Sequence, residues 1–540
     1  MSDPLRTRAE PLQMNQLRML ADALKSAGRG ALAVHAPDRA ARLALHAPHI
    51  YCDFTRQRLN GEALDSLLAL APALTRYRDA MAAGEAVNNT EHRAALHMAL
   101  RNAGTREWLA LGEPMSQTIL AARAQAKAFS AKVRAGEIVA SDGRPFKAIL
   151  HLGVGGSDLG PRLIYDALKP LAKPQIEVRF ASNIDPEDMA QALDGLDPRE
   201  TLLFVVSKTF TTHETMANFA AARAWMENAI GKEATFAHLI AATAKPDIAM
   251  QAGVPEDHIF PFWDWVGGRF SVWSNGSLSV EIALGGEAFD GFLAGAADMD
   301  AHVLTAPPEA NAGFLVALTD FWNASVLEYP ARAVTPYATR LRLLPSYLQQ
   351  LIMESDGKSV QADGAPAFCP TSPAIFGGEG ATAQHSFFQW LHQGTTVCPV
   401  DFVMIAQDRL GNAEAQRALN ANALAQSEAL WNGRSTAEAH AITEKASSAE
   451  NAARLAPHKT FSGGRPSAMF VLDRLEPQSL GALIALYEHR TALAGALAGI
   501  NPFDQWGVEL GKELAQSILK KWDGDAADPT TSRLLRRLKS

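Results

Sequence analysis

The sequence predicts an α/β protein with two doubly wound parallel sheets and helical extensions at both ends. Three observations carry this. Apolar runs of strand length alternate with helical patterns from about residue 147 onward. A second series of the same kind begins near residue 331. Two of the runs open directly into corners rich in Gly, Ser and Thr, which is where open α/β sheets bind ligands.

The elements follow in order. Residues 10–110 read as helical, including a helix over Asn89–Leu100 that starts on polar residues and continues with apolar ones at helical spacing. Strands are predicted at Ala148–Leu152, Ile176–Phe180, Leu202–Val206 and His238–Ala242, with helical segments between them. Parallel strands need such crossovers. A second set is predicted at Ala331–Thr335, Pro373–Phe376, Phe402–Ile405 and Met469–Leu472, with a long helix over Ala413–Trp431. The tail Gln505–Lys521 reads as a helix whose Trp506, Leu510, Leu514 and Ile518 form one stripe, expected to pack in the core. The last stretches, Gly524–Pro529 and Arg533–Ser540, read as mobile. A chain of 540 residues exceeds one compact core. The predicted division is a helical region 1–110, α/β domains 111–290 and 291–500, and a helical arm 501–540.

Composition narrows the function. Hydrophobic residues make up 47% and charged residues 20%, and the formal net charge is −8. A general nucleic-acid binder needs a basic surface, so that role is disfavoured. An anionic ligand must then be held by local donors. The cysteines Cys52, Cys369 and Cys398 are far apart and form no C-x-x-C pair, which argues against a disulfide framework or a cysteine zinc site and suits a reducing cytoplasm. Met1–Arg6 carries an early acid and no apolar run, so no signal peptide is expected. No stretch approaches 18 apolar residues, so no membrane span is expected.

Six motifs carry chemistry. Gly153–Gly160 reads G-V-G-G-S-D-L-G; Asp158 stands where a dinucleotide fingerprint has its third glycine, so one phosphate fits better than a dinucleotide. The bland alternative is a glycine turn made only for packing. Ser207–Thr212 reads S-K-T-F-T-T and adds hydroxyls and an ammonium at a strand end; Thr211 and Glu214 are spaced as a capping box, which would explain them without a ligand. In Asp264–Ser271, two glycines free Arg269 to oppose a developing oxyanion, or simply to form an ion pair. Glu354 follows Leu351-Ile352-Met353 near Gly357, surroundings that would desolvate it and make it a better base; the alternative is an exposed pair with Lys358. A glycine-rich loop enters a helix that would place His385, Gln389 and His392 on one face, with no metal-ligand spacing. Finally, Gln505, Glu509 and Lys512 share a helical face, where an ordinary Glu509–Lys512 ion pair is the simpler reading.

In this order the motifs resemble the phosphoglucose isomerase family across residues 50–520. The most specific are G-G-S-D-L-G-P at 155–161, S-K-T-F-T-T at 207–212, G-G-R-F-S at 267–271, M-E-S-D-G-K at 353–358, Q-H-S-F at 384–387 and F-D-Q-W-G-V-E-L-G-K at 503–512. N-T-E-H-R-A-A-L-H at 89–97 is also similar. The loop before His385 departs from the family's E-P-G-T-N-x-Q-H, lacking its proline and asparagine but keeping Gln384 and His385.

The resemblance implies two sugar-isomerase domains, a cytoplasmic homodimer without cofactor or metal, and reversible isomerisation of D-glucose 6-phosphate and D-fructose 6-phosphate through an enediolate, a step of glycolysis and gluconeogenesis. It implies that Ser207, Lys208, Thr209 and Thr212 hold the phosphate beside Gly156-Ser157. Glu354 would move the proton between C2 and C1, and Arg269 would stabilise the enediolate. His385, oriented by Glu214, and Lys512 would open the ring, while Gln350 and Gln505 line the site. The chemistry agrees: glutamate is far too weak a base for a proton beside a carbonyl unless a fixed positive charge lowers the intermediate. A non-enzymatic phosphosugar-binding regulator on the same sheets is the alternative; it needs the phosphate corners but not Glu354, Arg269, His385 and Lys512 together.

Overall fold

The computed structural model describes residues 9, 11–27, 32, 37–102, 104–407, 412–524, 526 and 528–539. Met1–Arg6, Ser540 and two residues of Gly524–Pro529 lie outside the described residues.

Among the described residues, thirteen strands follow one another as β1 (Ala44–Ala47), β2 (Ile50–Asp53), β3 (Leu109–Ala110), β4 (Glu113–Pro114), β5 (Ala148–Leu152), β6 (Glu177–Ala181), β7 (Thr201–Val206), β8 (Leu239–Thr243), β9 (Ile259–Pro261), β10 (Ala331–Pro336), β11 (Ala374–Gly377), β12 (Val400–Ile405) and β13 (Ser467–Leu472). The first sheet has the order β6-β5-β7-β8-β9 and is parallel throughout. Every residue of β5, β7 and β8 is buried, as expected where helices cover both faces. The second sheet has the order β1-β2-β13-β12-β10-β11. Its four later strands are parallel, while β2 adds to β13, and β1 to β2, in antiparallel register. The two-sheet α/β fold is the one the sequence predicts, with all eight predicted strands present to within two residues at either end.

The two sheets share a core. Helix Pro477–Leu497 is buried along nearly its whole length and lies against helix Gly286–Thr305. A methyl group at Gly481 would overlap the Phe292 carbonyl, so the approach tolerates only glycine there. Beneath this crossing, Arg101 donates to both oxygens of Asp300 at 2.6 Å and to Glu488 Oε2 at 2.6 Å. Trp273 Nε1 donates to Glu488 Oε1 at 2.7 Å, and His489 meets Asp300 Oδ1 at 2.7 Å. One guanidinium shared by two buried carboxylates treats them unequally. Desolvation pushes Glu488 up to about 7, while at Asp300 desolvation is outweighed by Arg101 and the hydrogen bonds, which hold it at about 2.

Several local expectations are overturned. The N-terminal region is not wholly helical: β1 and β2 form a hairpin that extends the second sheet. Asn89–Leu100 is not a helix. Asn88 bridges Arg93, His92 takes a left-handed φ of 52°, and helical turns begin only at Ala99–Asn102. Its polar side chains are spent on distant partners: Thr90 Oγ1 donates to Asp504 Oδ2 at 2.6 Å and Asn89 Nδ2 to the Ala362 carbonyl at 2.7 Å. The basic tail is ordered into helix Pro529–Lys539, with Leu535 buried. The stripe on the C-terminal arm is not core. Helix Glu509–Lys520 buries no side chain, and Trp506, Leu510 and Leu514 are 52%, 65% and 54% exposed. Among the described residues, no helix is long and apolar enough to cross a membrane.

Candidate functional site

In the first sheet the chain order is 2-1-3-4-5, so connections leave β5 and β7 in opposite directions. The crevice beyond their carboxyl ends is the topological switch point. Both hydroxyl- and glycine-rich corners leave from it.

The first corner turns at Gly155, with φ 60° and ψ −123°, and enters helix Gly156–Ala172 with no side-chain cap. A Cβ at Gly155 would sit 2.9 Å from Gln350 Nε2, and one at Gly156 would overlap the Gly268 carbonyl. The packing explanation is therefore true of these glycines, and it has a consequence: it brings the helix start against Arg269's own turn. Asp158 is accounted for by its bond to Arg162, with Nη2···Oδ1 at 2.8 Å. His151, buried and lowered to about 3 by desolvation, bonds the Ser157 carbonyl and Ser279 Oγ, both at 2.7 Å, and so fixes the corner from below.

The second corner holds Ser207 Oγ 3.1 Å from Thr212 Oγ1, and Thr211 Oγ1 donates to Thr209 Oγ1 at 2.7 Å. Phe210 has φ 54°, an uncommon conformation for a bulky residue, held by its burial beside Phe219. The capping box does not form. Thr212, not Thr211, is the N-cap of helix His213–Ile230, and no side chain caps it. The main-chain N–H groups of Lys208 and Thr209 also find no acceptor among the described residues. Uncapped helix starts with free amides are suited to an anion. The Lys208 ammonium, expected at a phosphate, instead donates to the Asp264 carbonyl at 2.8 Å and the Val266 carbonyl at 3.2 Å. Burial, and then Arg93, push its pKa down to about 8.

Arg269 stands on a 3-10 turn, Gly268–Phe270, with its side chain 1% exposed. Nε donates to Ser355 Oγ at 2.6 Å, Nη1 to Gln505 Oε1 at 3.0 Å, and Nη2 to the Pro502 and Asp504 carbonyls at 2.7 and 3.0 Å. Burial lowers its pKa below the usual guanidinium value, and the carboxylates of Glu354, Asp356 and Asp504 oppose this. Glu354 Oε1 lies 3.6 Å from Nη1, with the Glu354 side chain 23% exposed. Glu354 ends a π-helical segment, Gln349–Glu354, a geometry that re-aims side chains and gathers at functional sites. Lys358 does not pair with the Glu354 carboxylate. It donates to the Glu354, Ser355 and Asp504 carbonyls and pairs with Asp504 Oδ1 at 3.3 Å. Gln350 Oε1 is buried without a hydrogen-bond partner among the described residues.

The structure thus gathers Gly156, Arg269, Gln350, Glu354 and Gln505, and ties them to the second corner through Lys208. Among the described residues, no hydrogen bond or ion pair ties the side chains of His385, Glu214 or Lys512 to them. His385 lies in an exposed turn between short helices Gly380–Ala383 and Phe388–Gln393, so it does not share a helix face with Gln389 and His392. Its side chain has no hydrogen bond to Glu214 or any other described residue, and Lys512 has none to Glu509. Gln384 is held by Tyr337 Oη at 2.9 Å. Ser355, Asp504 and His151 were not legible as site residues; the first two are flagged only by standing beside Glu354 and Gln505. Among the described residues, no cluster of three or more His, Cys, Asp or Glu is arranged to hold a metal ion.

These features define a two-sheet α/β protein in which two helix starts without side-chain caps leave the switch point of the first sheet, near a buried arginine that faces a glutamate. The chain belongs to the phosphoglucose isomerase family, whose model matches residues 53–535. It is 49% identical over 509 residues to a glucose-6-phosphate isomerase of Caulobacter sp. (strain K31), covering 93% of this chain and 94% of the relative. It is 44% identical over 510 residues to the glucose-6-phosphate isomerase of Brucella abortus (strain S19), covering 93% of each. The crystal structure of a glucose-6-phosphate isomerase from Chlamydia trachomatis D/UW-3/Cx superposes with a TM-score of 0.84 at 32% identity, covering 98% of both chains.

Proposed function

We propose that this chain is a glucose-6-phosphate isomerase, interconverting D-glucose 6-phosphate and D-fructose 6-phosphate. The observation that carries the reading is the Arg269–Glu354 pair, 3.6 Å apart beside the switch point of the first sheet. The names of the relatives at 44–49% identity support the substrate.

The uncapped corners take the phosphate through the hydroxyls of Ser207, Thr209 and Thr212, the amides of Lys208 and Thr209, and the Gly156-Ser157 turn. Binding energy from this end orients the carbon chain. Glu354 removes the proton at C2 and returns it at C1, and Arg269, fixed by Ser355, Gln505 and two carbonyls, opposes the charge that grows on the enediolate oxygens. The side chains of Gln350 and Gln505 line the sugar. His385 and Lys512 serve ring opening, with Glu214 as the orienting acid of His385. Their exposed positions, together with the exposed stripe of the C-terminal arm, support a homodimer in which a second copy covers the arm and encloses these groups. The reaction needs no metal or cofactor and takes place in the cytoplasm.

The test is a coupled assay with fructose 6-phosphate and no added metal, run with and without chelator. Activity should appear and survive the chelator. In Glu354→Gln, isomerisation and solvent-proton exchange at C2 should vanish while sugar-phosphate binding persists; full activity there removes Glu354 from the mechanism.

A further inference from the structure

Lys208 stands in a motif rich in hydroxyls, yet its ammonium donates to two main-chain carbonyls, with Asp264 Oδ1 4.0 Å away. Its main chain is fixed at the ends of neighbouring strands: Ser207 N donates to the Ala242 carbonyl at 3.1 Å, and Ala244 N to the Lys208 carbonyl at 3.0 Å. From there the side chain reaches past β8 to the loop that follows β9, where the Asp264 and Val266 carbonyls accept two of its three N–H donors. The Trp265 carbonyl between them accepts from Leu96 N at 3.2 Å. Three consecutive carbonyls are thus pinned, two of them by Lys208. Immediately beyond come Gly267 and Gly268, which leave the backbone free to turn, and then Arg269. A cavity of about 90 Å3 is lined in part by Lys208, Asp264, Gly267, Gly268, Glu91 and Arg93.

We infer that the Lys208 side chain is a strut rather than a phosphate ligand: it positions Arg269 by tying the second phosphate corner to the loop that carries the guanidinium. The inference rests on the isomerase reading for its kinetic consequences, but not for its structural one. The depressed pKa of about 8 is in keeping with a partly buried amine facing Arg93 as well as Asp264 and Glu91. The strut also explains why a lysine is placed here when Ser207, Thr209 and Thr212 already supply hydroxyls: its work is between two loops.

The experiment uses Lys208→Met and Lys208→Arg in the full chain. Substrate is fructose 6-phosphate; inorganic phosphate and sorbitol 6-phosphate, which carries the phosphate but no carbonyl, are the competing ligands. In Lys208→Met, kcat should fall about 10- to 100-fold, the scale of a misplaced catalytic group, while both inhibition constants move less than about threefold. Lys208→Arg should recover part of kcat, because a guanidinium can donate to both carbonyls. Amide hydrogen exchange across residues 262–270 should quicken in the Met variant. Inhibition constants raised about tenfold or more would place the charge on phosphate and overturn the strut. Unchanged kcat with unchanged exchange would overturn it as well. If the Met variant does not fold, the Arg variant decides: near-normal inhibition constants and exchange support the strut, and weakened phosphate binding overturns it. If the unaltered chain shows no isomerisation, the isomerase reading fails and hydrogen exchange alone judges the strut.

Discussion

Arg269 Nη1 lies between two side chains of opposite use: Gln505 Oε1 at 3.0 Å, which holds it, and Glu354 Oε1 at 3.6 Å, which it faces. The guanidinium is fixed on its other edges by Ser355 and two carbonyls, so it needs no reorganisation when charge develops beside it. Arg269→Lys keeps the charge but loses the fork that reaches four partners. We expect kcat to drop about 10²- to 10³-fold with a much smaller change in KM. Steady-state kinetics in both directions measure this; a raised KM with kcat unchanged would mean that Arg269 binds ground state and transition state alike.

Gly156→Ala places a methyl group on the Gly268 carbonyl, next to the turn of Arg269. The overlap is with backbone, which cannot swing aside. A stability loss of about 1–3 kcal/mol is expected, read as a lower midpoint in denaturant, together with a fall in kcat from the displaced Arg269.

Ser207→Ala removes one hydroxyl from the second corner and leaves the Thr212 hydroxyl without its 3.1 Å partner. The expected result is a rise in KM and in the inhibition constant of inorganic phosphate of about fivefold to tenfold, equivalent to one hydrogen bond of about 1 kcal/mol or slightly more. Competition assays with inorganic phosphate give the number, and kcat should change less.

Arg101→Met leaves Asp300 and Glu488 buried without their shared cation, so a loss of about 3–5 kcal/mol is expected. The same network sets an acid limit for the unaltered protein. Asp300 is held at about 2 against an ordinary 3.8, so its contribution is fully present above about pH 4 and fades as the pH falls toward 2. Glu488 works in the other direction: raised to about 7, it contributes most below its ordinary 4.5 and loses that contribution as the pH rises through 7. Unfolding midpoints from pH 2.5 to 8 should therefore show an acid-side fall from Asp300 and a fall between about pH 4.5 and 7 from Glu488 that is at least as large. A flat acid limb would remove Asp300 from the account.

Leu510→Lys with Leu514→Lys puts charge on the exposed stripe of the C-terminal arm. Because helix Glu509–Lys520 buries none of its side chains within the chain, the monomer should stay folded. Sedimentation should shift from dimer toward monomer and activity should fall with it. A pair of substitutions that leaves both mass and activity unchanged would show that this stripe does not join two copies.

The parallel strands were legible because strands buried on both faces are written as continuous apolar runs; β5 and β7 needed no other signal. The hairpin β1–β2 and the three-residue β9 were not, because segments so short carry no periodicity and their pairing comes from a sheet assembled by distant residues. Asn89–Leu100 misled because Asn and Thr cap helices and also bind remote groups with the same atoms. Only the fold brings Asp504 to Thr90.

By itself the sequence determined the alternation of strands and helices, the two glycine- and hydroxyl-rich corners and the residue types on which the proposed chemistry depends, since these are properties of neighbours along the chain. Tertiary structure decided what those residues touch. It set Arg269 beside Glu354 across 85 positions of sequence, directed the Lys208 ammonium to two carbonyls, and left His385, Lys512 and the apolar stripe of the arm facing outward. The physical reason is that hydrogen bonds and ion pairs depend on ångström distances between groups far apart in the chain, and those distances exist only once the core has packed.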